Sequence, residues 1–275
     1  MRVSERGKVL KVGIAGVGTV GAVVARRIDA GLPGFILEAV AARDEGKARQ
    51  RLAELKRPVD IVSFAALAER ADVVVEALPA RVFVALAREV IARGKVLVAL
   101  TVSALLEHPE LSLQAEGTGA RIIVPSGALL GLDGVRAAAH GKLDSVRLVT
   151  RKPPAGLAGA PYLAEHGISL DSLAEPLKVF DGTAREGARG FPANVNVAAA
   201  LSLAGIGPDR TRLEIWADPT IVRNTHQIDV ESDSVRFSIK IEGIPSVENP
   251  RTGKLTAQSV IDTLAGLDAT LRVGS

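Results

Sequence analysis

The chain has 275 residues, a length typical of one or two domains. Of these residues, 47% are hydrophobic and 24% are charged, a composition typical of globular proteins. The formal net charge is only +3, so we expect neither a nucleic acid nor a membrane surface as a partner. Cysteine is absent, which excludes disulfides, thiolate metal sites and cysteine nucleophiles. We recognise no secretory signal and no apolar run of about 20 residues, so the expected location is the cytoplasm.

The first half of the chain alternates apolar strands with amphipathic helices. Strands are predicted at residues 9–15, 35–42, 72–78, 96–100 and 121–124. Helices are predicted at residues 20–28, 44–55 and 82–91. Continuous apolar strands that alternate with helices indicate a parallel sheet covered on both faces.

From about residue 126 the pattern changes to a period of two. Strands are predicted at residues 145–150, 212–217, 225–231 and 235–242, with a helix at 195–204 and loops around short helices over 152–190. Alternating strands of this kind favour a mostly antiparallel sheet with one face in water. The chain closes with an amphipathic helix that carries Val260, Leu264, Leu267 and Leu271.

These patterns predict an α/β fold with two domains. The first covers residues 1–125, and the closing helix, residues 255–272, is expected to return to it. The second, an α+β domain, covers residues 126–254.

A glycine-rich turn joins the first strand to the first helix. Gly16 permits a tight turn, Gly18 lets a pyrophosphate approach the backbone, and Gly21 lets the helix pack closely on the strand. The helix N-terminus offers free N–H groups to a phosphate. The spacing therefore predicts a Rossmann domain that binds NAD or NADP, and a turn without any ligand is the alternative. The expected cofactor contacts are Gly16, Val17, Gly18, Thr19, Val20 and Gly21.

The second and third strands end in further candidate cofactor residues. An acid at the end of the second strand reads the ribose of NAD, whereas an arginine accommodates the 2′-phosphate of NADP. The chain offers Arg43 followed by Asp44, so both cofactors stay open. At the end of the third strand, Ala77 and Leu78 are expected to touch the cofactor, while Glu76 either binds the ribose or forms a salt bridge.

One of the four histidines stands out. His226 shares a strand face with Ile228 and Val230, and burial there lowers the pKa of an imidazole and leaves it able to accept a proton. A structural buried histidine is the alternative, and Lys152 is the rival base. The other three lie in polar, loop or capping positions, and no two histidines have the spacing of metal ligands, so no metal site is predicted. They are His108, His140 and His166.

A further group of residues lies near the second predicted domain's start and its central helix. Ser126, Gly127 and Ala128 follow the fifth strand and could present backbone N–H groups to a ligand. Asn196 lies at the start of the helix at 195–204, where its amide could face a nicotinamide carboxamide.

Several motifs in order give the chain a family resemblance. They are GVGTVG, DVVVEA, IIVPSGAL with GLDG, TRKPP, FPANVNVAA, ADP followed by N-x-H, and PS-x-x-NPRTG. Together they resemble the L-aspartate dehydrogenase family over residues 8–270. One position departs from the family pattern, because Gly253 stands where the family has serine.

The resemblance implies a Rossmann domain joined to an α+β catalytic domain, usually in a homodimer. It implies oxidation of L-aspartate by NAD or NADP to iminoaspartate, which hydrolyses to oxaloacetate and ammonia or feeds NAD biosynthesis. It also implies that His226 is catalytic and that Ala128 and Asn196 contact the cofactor.

The implied substrate carries two carboxylates, which need cationic or N–H partners. The candidates are Ser126, Gly127, Arg151 and Lys152. His226 is expected to take the proton of the substrate amine beside the nicotinamide. Homoserine dehydrogenase, dihydrodipicolinate reductase and a non-catalytic NAD(P)-binding sensor remain as alternatives.

Overall fold

The structure is a computed structural model that describes residues 9–192, 195–246 and 252–274. The chain divides into two compact units, Met1–Gly127 with Thr256–Val273, and Ala128–Leu255 with the last two residues. The strands are β1 (Leu10–Ala15), β2 (Phe35–Ala41), β3 (Asp60–Ile61), β4 (Val73–Glu76), β5 (Val96–Ala99), β6 (Arg121–Ile123), β7 (Leu143–Lys152), β8 (Leu177–Thr183), β9 (Arg212–Ala217), β10 (Thr225–Ser232) and β11 (Arg236–Glu242). The helices are α1 (Thr19–Asp29), α2 (Glu45–Arg51), α3 (Phe64–Arg70), α4 (Ala80–Ala92), α5 (Val102–Glu107), α6 (Glu110–Thr118), α7 (Leu132–Ala138), α8 (Pro154–Leu157), α9 (Pro161–Glu165), α10 (Ala184–Gly190), α11 (Asn196–Ala204) and α12 (Lys254–Asp268).

The first unit contains a six-stranded parallel sheet in the order β3-β2-β1-β4-β5-β6. Its strands are apolar runs because helices cover both faces, and all four residues of β4 are buried. The predicted parallel sheet is confirmed. The strand order reverses between β1 and β4, and ligands of open α/β sheets bind at such a switch point, beyond the carboxyl ends of the strands.

The core of the first unit includes residues from both ends of the chain. Val24 and Ile28 of α1 are buried in the same hydrophobic cluster as Val260 and Leu264 of α12. The apolar stripe predicted for the closing helix is wrong at Leu271, which is 83% exposed, because α12 already ends at Asp268.

The second unit contains a five-stranded sheet in the order β11-β10-β7-β9-β8. Three of its strand pairs are antiparallel, and β7 with β9 is parallel. The mostly antiparallel sheet is therefore confirmed. One face is buried through residues such as Leu148, Ile215 and Ile228. The other carries charged pairs, of which Arg147 with Glu214 is the shortest, at 2.6 Å.

The sequence patterns do not predict two of the strands, β8 and β3. The sequence predicts loops around short helices over residues 152–190, but β8 lies there and pairs with β9. It is an edge strand, and an irregularity between Lys178 and Phe180 interrupts its alternation. β3 has only two residues, which is too short for any periodicity to appear.

Candidate active site

Close backbone contacts require two of the three glycines in residues 16–21, the turn after β1 and the first residues of α1. Gly16 has a φ of +93°, and its N–H donates to the carbonyl oxygen of Ala41 at 2.8 Å. A Cβ on Gly16 would collide with the carbonyl oxygen of Ala77, and a Cβ on Gly21 would collide with that of Gly16. These two positions exclude larger residues because of the fold itself.

Gly18 differs, because the space beside it is open. A Cβ at Gly18 would find its nearest neighbour, Nη1 of Arg51, at 3.9 Å. Gly18 is also the N-cap of α1, where no side chain caps the helix and the first turn holds no acidic residue. A helix N-terminus with uncapped N–H groups and an open approach fits the pyrophosphate of a dinucleotide.

Glu76 is engaged within the fold at the end of β4. Its buried carboxylate accepts hydrogen bonds from the N–H groups of Leu78 at 2.6 Å, Leu100 at 3.1 Å and Thr101 at 2.9 Å, and from the Thr101 hydroxyl at 2.8 Å. Burial raises the pKa of Glu76, and these hydrogen bonds oppose that effect. Neither of the two expected roles, ribose binding or a salt bridge, describes these contacts, which instead tie β4 to β5.

Ala77 and Leu78 lie where the sequence placed them, beside the glycine loop. The N–H of Ala77 donates to the carbonyl oxygen of Ala15 at 2.8 Å. Cδ2 of Leu78 would be 3.2 Å from a Cβ on Gly16. Both residues therefore border the switch point between β1 and β4.

His226 and Lys152 lie on the buried face of the sheet in the second unit. His226 pairs with Thr150 across β10 and β7, and its Nδ1 is 3.1 Å from the Thr150 hydroxyl. Only 3% of His226 and 7% of Lys152 are exposed. Lys152 follows Thr150 by two residues and so shares its face.

Burial controls the protonation of both groups. It lowers the pKa of His226 to about 3, and the nearby charge of Lys152 contributes to this shift. It also lowers the pKa of Lys152 to about 8. At neutral pH the site therefore holds a neutral imidazole next to a largely protonated amine. The predicted burial of His226 and the predicted lowering of its pKa are confirmed.

Arg151, the other candidate partner for a substrate carboxylate, lies on the opposite face of the same sheet. Its guanidinium is 4.4 Å from the centre of the Trp216 ring and 3.5 Å from the carboxylate of Asp218. It lines a depression of about 460 Å³ with residues such as Gln227 and Lys240. This placement argues against a shared role for Arg151 and Lys152 at one carboxylate.

The segment that follows β6 is held by α12. Gly127 has a φ of +65°, and its N–H donates to the hydroxyl of Ser259 at 3.0 Å. That N–H is therefore engaged within the fold, contrary to the expectation that it binds the substrate. No sequence pattern pointed to Ser259, which lies 132 residues away along the chain. Ser126 and Ala128 flank Gly127 and are half-buried.

The remaining candidates are less informative. Asn196 begins α11 in the second unit and is half-buried. Asn194, the first asparagine of the FPANVNVAA motif, and most of the NPRTG turn lie outside the described residues. His108 contacts Glu110 at 3.0 Å, and His166 stacks on Tyr162 at 3.8 Å.

The described ranges hold neither a cluster of metal-ligand side chains nor a helix that could cross a membrane. They contain no group of three or more histidine, aspartate or glutamate side chains that could hold a metal ion. In the same ranges, no helix combines the length and apolar character needed to span a bilayer.

A Rossmann sheet with a loop that fits a pyrophosphate is typical of NAD(P)-dependent oxidoreductases, and the buried neutral histidine of the second unit is a candidate general base. Residues 16–125 match the family model of the homoserine dehydrogenase NAD-binding domain. Residues 133–267 match the model of the aspartate dehydrogenase C-terminal region. The first unit is therefore an NAD-binding domain.

Full-length relatives identify the family. The chain is 52% identical to the L-aspartate dehydrogenase of Bradyrhizobium diazoefficiens, over 97% of this chain and 94% of the relative. It is 51% identical to L-aspartate dehydrogenase 3 of Bordetella bronchiseptica, over 97% of this chain and 98% of that relative. The chain belongs to the L-aspartate dehydrogenase family.

Solved structures agree on the fold. The aspartate dehydrogenase of Thermotoga maritima superposes with a TM-score of 0.71 at 23% identity, over 96% of this chain and 99% of that one. A homoserine dehydrogenase of Thiobacillus denitrificans superposes with a TM-score of 0.60 at 15% identity, over 94% of this chain and 73% of that one.

Proposed function

We propose that this chain catalyses the NAD(P)-dependent oxidative deamination of L-aspartate to iminoaspartate, and the reverse reductive amination. Iminoaspartate hydrolyses to oxaloacetate and ammonia. The observation that carries the proposal is the 52% identity, over 97% of the chain, to a protein named L-aspartate dehydrogenase. The buried pair of His226 and Lys152 supports it, because a neutral base and a cation suit an amino acid with an extra carboxylate.

His226 is proposed as the general base. The substrate amine must be neutral before a hydride leaves its Cα, because positive charge then develops on the nitrogen. A neutral imidazole can accept that proton directly or through a water molecule, and it can activate the water that attacks the imine. The bound dinucleotide supplies the hydride acceptor.

Lys152 is proposed to hold one substrate carboxylate. A buried ammonium forms a strong charge-assisted hydrogen bond with a carboxylate, because little water competes with it. Its charge also lowers the pKa of His226, and a substrate carboxylate bound to the ammonium would offset that charge and make the imidazole a stronger base. Lys152 therefore has two proposed roles, in substrate binding and in the protonation of His226.

The dinucleotide is proposed to bind at the loop of residues 16–21, with Ala77 and Leu78 beside it. Ala128 and Asn196 are proposed as further contacts, on the family resemblance alone.

We also propose a homodimer that acts in the cytoplasm and can supply iminoaspartate to NAD biosynthesis. Light scattering of the purified chain tests the homodimer.

The decisive assay follows the oxidation of NADH and of NADPH at 340 nm in the presence of oxaloacetate and ammonia. Turnover that needs both supports the proposal. Turnover with aspartate semialdehyde instead indicates a homoserine dehydrogenase, and with a cyclic imine a dihydrodipicolinate reductase. Dinucleotide binding without turnover of any of these substrates indicates a sensor.

The role of His226 has its own test. His226→Ala should lower kcat by about 10²- to 10⁴-fold, the usual contribution of a general base, while the Kd for the dinucleotide stays unchanged. His140→Ala is the matched control, because His140 is exposed. A wild-type kcat in His226→Ala would show that the histidine is only structural.

A further inference from the structure

The segment that follows β2 presents an arginine to solvent. The side chain of Arg43 is exposed, and it forms no hydrogen bond or ion pair with any residue in the described ranges. It occupies the end of the second strand of a Rossmann sheet, where the adenosine ribose of a dinucleotide binds. An arginine there is available to a ligand.

Hydrogen bonds connect the glycine loop to the segments on either side of α2. The N–H of Gly16 donates to the carbonyl oxygen of Ala41, two residues before Arg43, at 2.8 Å. At the other end of α2, Nη1 of Arg51 donates to the carbonyl oxygen of Val17 at 3.1 Å. The same nitrogen would lie 3.9 Å from a Cβ on Gly18. One arginine therefore follows the strand end that contacts the loop, and the other contacts the loop itself.

The acidic residues of this segment are engaged elsewhere. The carboxylate of Asp44 accepts a hydrogen bond from the N–H of Lys47 at 3.0 Å and lies 3.6 Å from its Nζ, so it caps α2. Glu45 pairs with Arg49 at 3.7 Å. An acid that selects NAD must bind the ribose hydroxyls and repel a 2′-phosphate, and here the nearest acid is bound to the helix instead.

We propose that Arg43, assisted by Arg51, binds the 2′-phosphate of NADP(H), so that the enzyme prefers NADP(H) to NAD(H). A guanidinium matches a phosphate in charge and shape and binds it through two parallel hydrogen bonds. Arg51 keeps further donors for this contact, because a guanidinium has five N–H groups and its side chain makes one hydrogen bond within the described ranges, to Val17. The inference deepens the proposed function and rests on it for the identity of the ligand as a dinucleotide.

Titration calorimetry on the full-length chain tests the preference without any turnover. The ligands are NADPH, NADH, 2′,5′-ADP and 5′-AMP, all at one ionic strength because screening alters charge contacts. We expect NADPH to bind at least about 10-fold more tightly than NADH, and 2′,5′-ADP to bind more tightly than 5′-AMP by a similar factor. Equal affinities within either pair overturn the proposal.

Variants assign the preference to the two arginines. Arg43→Gln should weaken NADPH binding by about 10- to 100-fold and change NADH binding by less than about twofold, because only the phosphate contact is lost. Arg51→Gln should also weaken NADPH more than NADH. Arg49→Gln is the matched control, since Arg49 lies on α2 and already pairs with Glu45.

Three results overturn the assignment. The first is an unchanged ratio of NADPH to NADH affinity in Arg43→Gln. The second is an equal loss of affinity for NADPH and NADH in Arg51→Gln. The third is a loss of NADPH affinity in Arg49→Gln as large as that in Arg43→Gln. The proposed function fails separately, because selective binding of NADPH by a chain that does not oxidise L-aspartate leaves the inference standing.

Discussion

The hydroxyl of Thr150 lies 3.1 Å from Nδ1 of His226, directly opposite it in the pairing of β7 with β10. The ring nitrogen that faces the threonine is thus engaged by a neighbour on the same sheet. If Nε2 is to accept a proton, Nδ1 must carry the hydrogen and donate it to Thr150. The threonine then fixes both the tautomer and the orientation of the proposed base.

Thr150→Val should lower kcat by about 10-fold, the equivalent of one lost hydrogen bond, because valine keeps the shape but cannot accept from Nδ1. The Kd for NADPH should stay unchanged. Thr150→Ser restores the hydroxyl and should restore most of kcat, which a purely structural role of the threonine methyl would not. Steady-state kinetics of the three proteins give the comparison, and a wild-type kcat in Thr150→Val contradicts this role.

Lys152 should make the binding of dicarboxylates depend on pH. Burial lowers its pKa to about 8, so the ammonium is present below that pH and is lost above it. We expect the inhibition constant of succinate, which has no group that titrates in this range, to rise towards about tenfold per pH unit above pH 8. Succinate avoids the titration of the substrate amine.

Lys152→Met removes the charge and keeps an apolar side chain of similar length. It should bind succinate weakly at every pH, without the rise above pH 8. Arg147→Gln is the matched control, because Arg147 lies on the same strand but pairs with Glu214 on the opposite face. If Lys152→Met kept the pH dependence of the wild type, another group would have to be responsible.

The parts of this site that the sequence predicts are those with local signals. Gly16, Gly18 and Gly21 show their spacing within six residues, and the burial of His226 follows from the alternation of one strand. The same alternation could have separated Arg151 from Lys152, because consecutive residues of a strand face opposite sides of the sheet. Proximity along the chain groups the two cations, whereas the alternation of the strand separates them.

Other contacts join residues that are distant in sequence. Glu76 meets Thr101 from the neighbouring strand end, 25 residues away, and Ser259 holds Gly127 across 132 residues. No periodicity encodes either contact, because each depends on how the sheet and α12 pack. Tertiary structure alone reveals that Glu76 is engaged within the fold.

Substitutions of Gly18 and Gly21 should separate dinucleotide binding from stability. Gly18→Ala meets open space, so its melting temperature should stay within about 2 °C of the wild type. Its dinucleotide affinity should fall by about 10-fold or more, since the methyl group occupies the approach of the pyrophosphate. Gly21→Ala should instead lower the free energy of unfolding, because its Cβ would collide with the carbonyl oxygen of Gly16. Thermal unfolding and titration calorimetry measure both effects, and an unaltered affinity in Gly18→Ala argues against this loop as the binding site.

Glu76→Gln should reduce stability rather than cofactor selectivity. Each carboxylate oxygen of Glu76 accepts two hydrogen bonds, from Leu78 N–H and the Thr101 hydroxyl on one side and from the N–H groups of Leu100 and Thr101 on the other. Glutamine replaces one oxygen with an NH₂ group, so at least one buried N–H loses its acceptor in either orientation. We expect the free energy of unfolding to fall by about 2–3 kcal/mol.

Glu69→Gln is the control, because the Glu69 side chain is 75% exposed and an exposed ion pair contributes at most about 1 kcal/mol. Urea unfolding measures the free energy of unfolding, and titration calorimetry measures the affinity for NADPH. A stable Glu76→Gln protein that binds NADPH weakly would contradict this prediction and indicate that Glu76 binds the ribose.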